Sequence, residues 1–146
     1  MQLRSLATAA IVASLIAGCD PAGDDVVGPE GGTVVSRDGR LTIDIPEGAL
    51  VDDVEITIEQ VDDLPADALG PSYQVLPEGT VFEAPVQVIY DYGAMGMDVD
   101  TQEIELVAKG AYDWNRLADR NVIAEDDLVS ASALYLSTFC VALRGQ

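Results

Sequence analysis

The fold is decided between residues 28 and 92: GPEGGTVVSRDGRLTIDIPEGALVDDVEITIEQV at 28–61, a polar link, and YQVLPEGTVFEAPVQVIYDY at 73–92. Three Pro-Glu-Gly tripeptides punctuate this stretch. Proline presets φ for the second position of a type I turn and glycine is favoured at the fourth, so each tripeptide predicts a chain reversal. A phosphate-binding loop is excluded, because no Lys, Ser or Thr follows in the required spacing and each tripeptide carries a glutamate that would repel phosphate.

Between the turns, apolar and polar residues alternate. The pattern is clear in LTIDI at 41–45 and VEITIE at 54–59, and it continues through Val86, Val88 and Tyr90. Successive side chains of a strand point to opposite faces, so each of these strands has one buried face and one exposed face. Short, regularly spaced strands with turn signals predict an all-β fold, a β-sandwich of short antiparallel strands.

Three blocks within this stretch, GPEGG at 28–32, LTIDIPEGAL at 41–50 and YQVLPEGTVFEAPV at 73–86, are followed by Tyr90 and Tyr92. Their order and spacing resemble the ZU-five domain of zonula occludens proteins, Unc-five-type netrin receptors and ankyrins, which also occurs in bacterial surface and lipid-anchored proteins. A looser match continues to about Leu143. The resemblance implies a sandwich that binds other proteins and usually has no catalytic site. Trp114 fits the Trp-containing strand of that family and is expected in the core.

The first 18 residues are predicted to be a signal helix that is cleaved from the mature protein. Arg4 supplies a positive charge before an apolar stretch of about 12 residues, which is too short to span a bilayer. The end of this leader, Leu15-Ile16-Ala17-Gly18-Cys19, resembles the bacterial lipobox. In that family a diacylglyceryl group, with acyl chains such as palmitate, is attached to the cysteine, so the resemblance implies that Cys19 is lipidated. The alternative is an ordinary secretory leader with a chance cysteine.

The predicted domain organisation has three segments: a lipoprotein signal peptide at 1–18, a lipidated cysteine with a short acidic tether at 19–27, and a ZU-five-like sandwich at 28–146. At roughly 3.3–3.6 Å per residue, the tether spans at most about 30 Å. We therefore expect a domain held close to its membrane in the bacterial cell envelope. The sequence leaves open whether this is the inner or the outer membrane, and whether the protein faces the periplasm or the surface.

Composition narrows the choice of partners. The chain has 26 acidic residues, 7 basic residues and a net charge of −19, so nucleic acid and bare anionic membranes would be repelled. It contains no histidine, which removes the commonest base and metal ligand at neutral pH, and we expect neither an enzyme nor a cofactor. Once Cys19 carries lipid, Cys140 is the only free cysteine, and a buried thiol is the default expectation for it.

Self-cleavage and calcium binding are the two other chemistries that the sequence suggests. Some relatives of the ZU-five domain cut themselves before the serine of a His-Phe-Ser triplet, and the corresponding positions here resemble Tyr135-Leu136-Ser137. The serine is present without its histidine, so we expect Ser137 to cap a strand instead. Calcium is the second alternative, since Asp98-Val99-Asp100 offers hard oxygen ligands. These are weak metal candidates, because the ligand order and central glycine of an EF-hand are absent.

The sequence thus predicts a lipid-anchored envelope protein that serves non-catalytic protein binding or envelope scaffolding. Its expected partners are membrane lipid, through acylated Cys19, and an unidentified protein. Loops on a rigid sandwich commonly carry function, so the loops Asp62–Ser72 and Gly93–Asp100 are the predicted binding surface. The alternative function is a calcium-dependent or self-processing envelope module.

The intact mass of the protein extracted from host membranes tests these expectations together. We expect one species that begins at Cys19 and is heavier by two or three acyl chains, because two or more chains anchor stably where one does not. A soluble, unmodified product would contradict the lipobox assignment. Two fragments divided before Ser137 would instead establish self-processing.

Overall fold

The computed structural model describes residues 24–93, 96 and 100–144. The leader, Cys19 and Asp98 lie outside these residues. The described chain is all-β, with eleven strands and almost no helix. The strands are β1 (Asp24–Val27), β2 (Gly32–Val35), β3 (Leu41–Ile45), β4 (Val54–Val61), β5 (Ser72–Leu76), β6 (Val81–Asp91), β7 (Ile104–Lys109), β8 (Trp114–Arg116), β9 (Ala118–Ile123), β10 (Leu128–Tyr135) and β11 (Thr138–Leu143).

These strands form two antiparallel sheets in a sandwich-like arrangement. The first sheet has the order β1-β4-β5-β11-β7-β8, and the second has the order β2-β3-β6-β10-β9. The chain passes from the first sheet to the second between β8 and β9, where the N–H of Leu117 still bonds the Leu106 carbonyl of the first sheet (3.0 Å). The all-β prediction is therefore confirmed.

One hydrophobic core lies between the sheets, and the predicted alternation supplies it. In β3 the apolar residues are buried and the intervening Thr42 and Asp44 are not. Val86, Val88 and Tyr90 are fully buried in β6, as their spacing predicts. The largest fully buried side chains come from both sheets: Tyr73, Tyr90, Phe139, Leu41, Ile43, Ile45, Ile56, Ile104, Leu106 and Leu136.

The connections between strands lie at the two opposite ends of the sandwich. Because paired strands are antiparallel, segments 28–31, 46–53, 77–80, 110–113 and 136–137 share one end, which we call the turn end. The other end, the loop end, holds the connections 36–40, 62–71 and 124–127, and the described residues 92–93 and 100–103 that flank β6 and β7. The N-terminal end of β1 and the C-terminal end of β11 both point toward the loop end.

All three Pro-Glu-Gly tripeptides form turns at the turn end, but two differ from the predicted geometry. In the first, the N–H of Gly31 donates to the Gly28 carbonyl (3.0 Å), so proline is second and glycine fourth, as predicted. In the second, the N–H of Ala49 donates to the Pro46 carbonyl (3.2 Å), and the turn at 77–79 has the same arrangement. Their glycines are therefore third, with φ of +84° and +85°, as type II turns require.

The turn end also carries four crossings between the sheets, and hydrogen bonds join them in pairs. The β1–β2 and β3–β4 crossings meet where the N–H of Gly48 donates to the Pro29 carbonyl (2.9 Å). The β5–β6 and β10–β11 crossings meet where the N–H of Gly79 donates to the Leu136 carbonyl (2.8 Å). In return, the N–H of Leu136 donates to the Thr80 carbonyl (2.9 Å).

The folded part begins before the predicted boundary. The sequence prediction assigned residues 19–27 to a tether, whereas Asp24–Val27 form β1 and pair with β4, Val27 lying opposite Val54. The side chain of Val27 is buried in the core. Four residues of the expected tether are thus an edge strand, because their backbone completes the ladder of β4 and one of them buries an apolar side chain.

Two glycine substitutions separate backbone strain from crowding. At Gly31 (φ +82°) a β-carbon would lie 2.5 Å from the Ile45 carbonyl oxygen, whereas at Gly48 (φ +84°) it would meet nothing within 4 Å. Gly48→Ala should lower the free energy of unfolding by about 1 kcal/mol, the cost of a left-handed non-glycine residue. Gly31→Ala should lower it by about 3 kcal/mol or more, because the backbone must also shift. Urea unfolding measures both, and equal losses would contradict the close approach of the two turns.

Candidate binding surface

Exposed apolar side chains gather at the turn end. Tyr135 in β10 lies opposite Val81 in β6, and Leu134 precedes it in the chain. Val81 is 74% exposed and Leu134 is 53% exposed. Val51, also exposed, follows the second turn on a segment held beside β6 by the hydrogen bond from the N–H of Glu83 to the Ala49 carbonyl (2.8 Å). An apolar group of this kind on a folded surface marks an interaction site more often than an isolated exposed residue does.

A groove of about 280 Å³ opens beside these residues. We call it the β10 groove. One wall is the crossing from β8 to β9, with Leu117 and Ala118, and the other is the end of β10, with Ala133 and Leu134. Ala108 of the first sheet also lines the groove. Its volume is slightly below the range of about 300–1,000 Å³ typical of small-molecule pockets, so it suits side chains of a partner better than a free ligand.

Tyr135 stands between this groove and a second hollow of about 290 Å³, which Glu78, Lys109 and Ser137 also line. The hydroxyl of Ser137 donates to the Lys109 carbonyl (2.6 Å), and the residue is buried. The ammonium of Lys109 forms an ion pair with the carboxylate of Asp63. Ser137 therefore supports the start of β11 through its hydroxyl, in the structural role that the sequence predicts for it.

Carboxylates surround the apolar residues of the turn end. Each of the three Pro-Glu-Gly turns exposes its glutamate, and further exposed acids lie on the adjoining connections. They are Glu30, Glu47, Asp52, Asp53, Glu78, Glu83 and Asp113. Two basic residues nearby, Lys109 and Arg116, pair with Asp63 and Glu105 respectively. The turn end thus combines apolar contact surface with negative charge.

The two loops predicted to bind a partner lie at the opposite end. Loop Asp62–Ser72 connects β4 to β5, and the Gly93–Asp100 stretch follows β6, so both belong to the loop end. The first of them packs on the sheet: the N–H of Leu69 donates to the Val141 carbonyl and the N–H of Leu143 to the Asp67 carbonyl, each at 2.9 Å. Most of the second lies outside the described residues.

The candidate metal ligands, Asp98 and Asp100, and the cysteine, Cys140, lie in different parts of the chain. Asp98 lies outside the described residues, and Asp100 accepts the N–H of Gln102 (3.0 Å) in a local turn. Over 24–93, 96 and 100–144, no three Asp, Glu, Cys or His side chains gather as metal ligands would. Cys140 is buried as expected, on the outer face of the first sheet beside Val107 and Ala142. Burial raises the pKa of its thiol, which keeps it in the unreactive protonated form.

A larger groove, of about 560 Å³, lies at the loop end. The polar side chains of Ser36, Asp38 and Tyr73, which line it, are engaged in hydrogen bonds that hold the fold together. Asp38, in the β2–β3 hairpin, accepts hydrogen bonds from Tyr73, Ser36 (2.7 Å) and the N–H of Arg40 (3.1 Å). Burial would raise the pKa of Asp38, but these bonds outweigh it and hold the pKa below its usual value. Burial, together with the bond to Asp38, raises the pKa of Tyr73. The network ties the hairpin of one sheet to β5 of the other.

No protein-family model matches this chain, and no curated protein is significantly similar to it. Within the described ranges, none of the chain forms a helix long and apolar enough to cross a membrane.

The residues of the turn end were missed by sequence reasoning, although one signal was present. In SASALY at 130–135, alternation puts Ser130 and Ser132 on the outward face, and Leu134 follows them in the same phase. An apolar residue in an outward phase indicates an exposed contact position. Leu117 lies across the groove from Leu134, but the two residues are far apart in the sequence, and no local pattern predicts that they share a groove.

The Asp38–Tyr73 bond predicts a pH-dependent loss of stability. Tyr73→Phe should lower the free energy of unfolding by about 1 kcal/mol near pH 7, a small value because Asp38 faces solvent. Since the pKa of Asp38 is lowered in the folded state, this contribution is fully present above the ordinary carboxyl pKa and is lost as pH falls through the lower folded-state pKa. Urea unfolding at about pH 7 and about pH 3 measures the change. Tyr90→Phe is the control, because Tyr90 donates to the uncharged Pro71 carbonyl (2.8 Å) and its loss should not depend on pH in this range. An equal deficit of Tyr73→Phe at both pH values would contradict this account.

Proposed function

We infer that this chain is a membrane-anchored bacterial lipoprotein whose ZU-five-like sandwich binds another protein without catalysing a reaction. One observation carries the proposal. The N-terminal chain leaves the fold toward the loop end, whereas most of the exposed large apolar residues, among them Val81, Leu134 and Tyr135, lie at the turn end. A domain anchored in this way holds its contact surface away from the bilayer, where a protein partner can reach it.

The reach of the anchor supports this orientation. Asp24 is the fifth residue after Cys19, so the two lie at most about 18 Å apart. Asp24 lies opposite Thr57, and the four residues of β4 beyond Thr57 extend roughly 13 Å farther toward the loop end. Most of the available reach is therefore used in arriving at that end. Acyl chains on Cys19 would hold the loop end against the membrane, and the eight residues of β10 would carry the turn end roughly 25 Å from it.

The chemistry of the turn end supports binding over catalysis. Its distinctive side chains are Val81, Leu134 and Tyr135, and tyrosine is among the residues that contribute most at protein interfaces. The hydroxyl of Ser137, the candidate nucleophile, is engaged with a backbone carbonyl, and the sequence has no histidine to activate it. The ZU-five resemblance agrees with this proposal, since each of its three blocks contains one turn of the turn end.

Photo-crosslinking in the host tests the proposed function. A photoreactive residue in place of Val81, at the turn end, should give protein adducts. The same residue in place of Ile123, which ends β9 at the loop end, should give at least several-fold fewer, because that end faces the bilayer. Immunoblotting after irradiation measures the ratio.

Cys19→Ser provides the matched control in the same cells. It removes the anchor, so the protein should leave the membrane fraction and the Val81 adducts should decline. Equal adduct yields at Val81 and Ile123 would overturn the proposed orientation. Unchanged membrane association of Cys19→Ser would overturn the lipid anchor.

A further inference from the structure

The end of β10 lacks a neighbouring strand on one side. β9 pairs with β10 from Leu128 to Ser132, where Ser132 lies opposite Ala118. The chain before Ala118 belongs to the first sheet, as the bond from Leu117 to Leu106 shows. In the described structure, the segment Ala133–Tyr135 therefore has β6 on one side and the β10 groove on the other.

An unpaired strand edge carries backbone donors and acceptors that bind an added strand readily. The neighbouring edge strand, β9, has two features that disfavour the addition of another strand. The pairing of β9 with β10 shifts between Ser130 and Ser132, and Asp119 at this bulge has a φ of +55°. The Arg120 guanidinium donates to the carbonyl of Ile104, in the first sheet, and to the carbonyl of Thr101, in the connection before it. Bulges and inward-directed charges both discourage strand addition. At Ala133–Tyr135 the pairing with β6 also shifts, but the extra residues lie in β6, between Val81 and Val86. The charged residues that line the groove on the open side, Arg116 and Asp119, are both solvent-exposed.

The groove beside this segment is suited to hold a side chain from an added strand. An added strand places alternate side chains on one face, about 7 Å apart, where pockets give specificity. Leu117, Ala118 and Leu134 offer an apolar wall at that position. Exposed Tyr135 lies next to it and can cover the inserted side chain.

Charge decides between a second copy of this chain and a different partner. Each copy has a net charge of −19, and the turn end exposes the glutamates of all three turns. Two such ends would repel each other, whereas lysine or arginine residues flanking an apolar side chain would be attracted. The complementary occupant is therefore a basic, extended segment of another protein.

We propose that Ala133–Tyr135 bind an extended segment of a partner protein by strand addition, with an apolar side chain in the β10 groove and basic residues facing the acidic turn end. This inference deepens the proposed function and rests on it. It names the mode of recognition and the composition of the bound segment.

A displayed library of random twelve-residue peptides, selected on the full-length protein, supplies the probe. We expect enriched peptides to alternate apolar and basic residues. Leu134→Asp should weaken their binding by about tenfold or more, since it places a charge at the centre of the contact. Ile123→Asp, at a residue 38% exposed against 53% for Leu134, should change binding by no more than about twofold, because Ile123 ends β9 at the opposite end of the domain. Circular dichroism checks that both variants remain folded.

Backbone pairing is tested with the best peptide in a second, N-methylated form. Methyl groups on alternate amides remove the donors of one strand edge and should weaken binding by about tenfold or more. Hydrogen exchange at Ala133–Tyr135 should slow when the unmodified peptide binds. Equal binding of the two peptide forms would overturn strand addition. So would a selection in which peptides are enriched no more on the unmodified protein than on the Leu134→Asp variant. Either result leaves the Val81 crosslinks in place, whereas failure of the proposed function removes them.

Discussion

The four crossings at the turn end impose the constraint on which the sandwich depends. A strand that leaves its sheet gives up its ladder, and its backbone N–H and C=O groups must find partners elsewhere. Here the crossings satisfy one another in pairs, through the bond from Gly48 to Pro29 and the reciprocal bonds between 79–80 and Leu136. The first pair packs so closely that Gly31 has backbone atoms where a side chain would begin. The sheets are thereby fixed over one core.

This constraint also explains why the turn end suits recognition. Exposed valine, leucine and tyrosine side chains bind well only when their backbone is held in place, because ordering a loose segment costs conformational entropy. Val81 and Tyr135 each adjoin a bonded crossing, so they are presented on fixed backbone. The loop end has a different task. There β1 begins and β11 ends, and the 62–71 connection runs alongside β11, where Ala68 pairs with Ala142 and the Cys140 thiol donates to the Gly70 carbonyl.

Local patterns predicted much of this structure, and their failures have a common cause. Alternation located β3, β4 and β6, because period-two burial is a short-range property. Trp114, expected in the core, is instead half-buried on the outer face against Val107 and Cys140. Glu105, in a phase that alternation leaves exposed, is almost buried and pairs with Arg116 (2.7 Å) and Arg144 (3.6 Å). Trp114 and Glu105 both lie at the outer face of β7, where side chains from β8 and from the end of the described chain pack or pair with it.

The sequence by itself determined the all-β class, the inward residues of most strands and the positions of the turns, since each follows from neighbours a few residues apart. It also determined the net charge and hence the chemistry a partner must offer. Only the tertiary structure decided the order of the sheets, the grouping of three turns at one end and the open side of β10. These depend on placements such as that of segments 117–118 and 133–134 on the two walls of the β10 groove, which arises only because the chain changes sheets between β8 and β9. Strand pairing over such separations is set by burial of the whole core, and no local pattern encodes it.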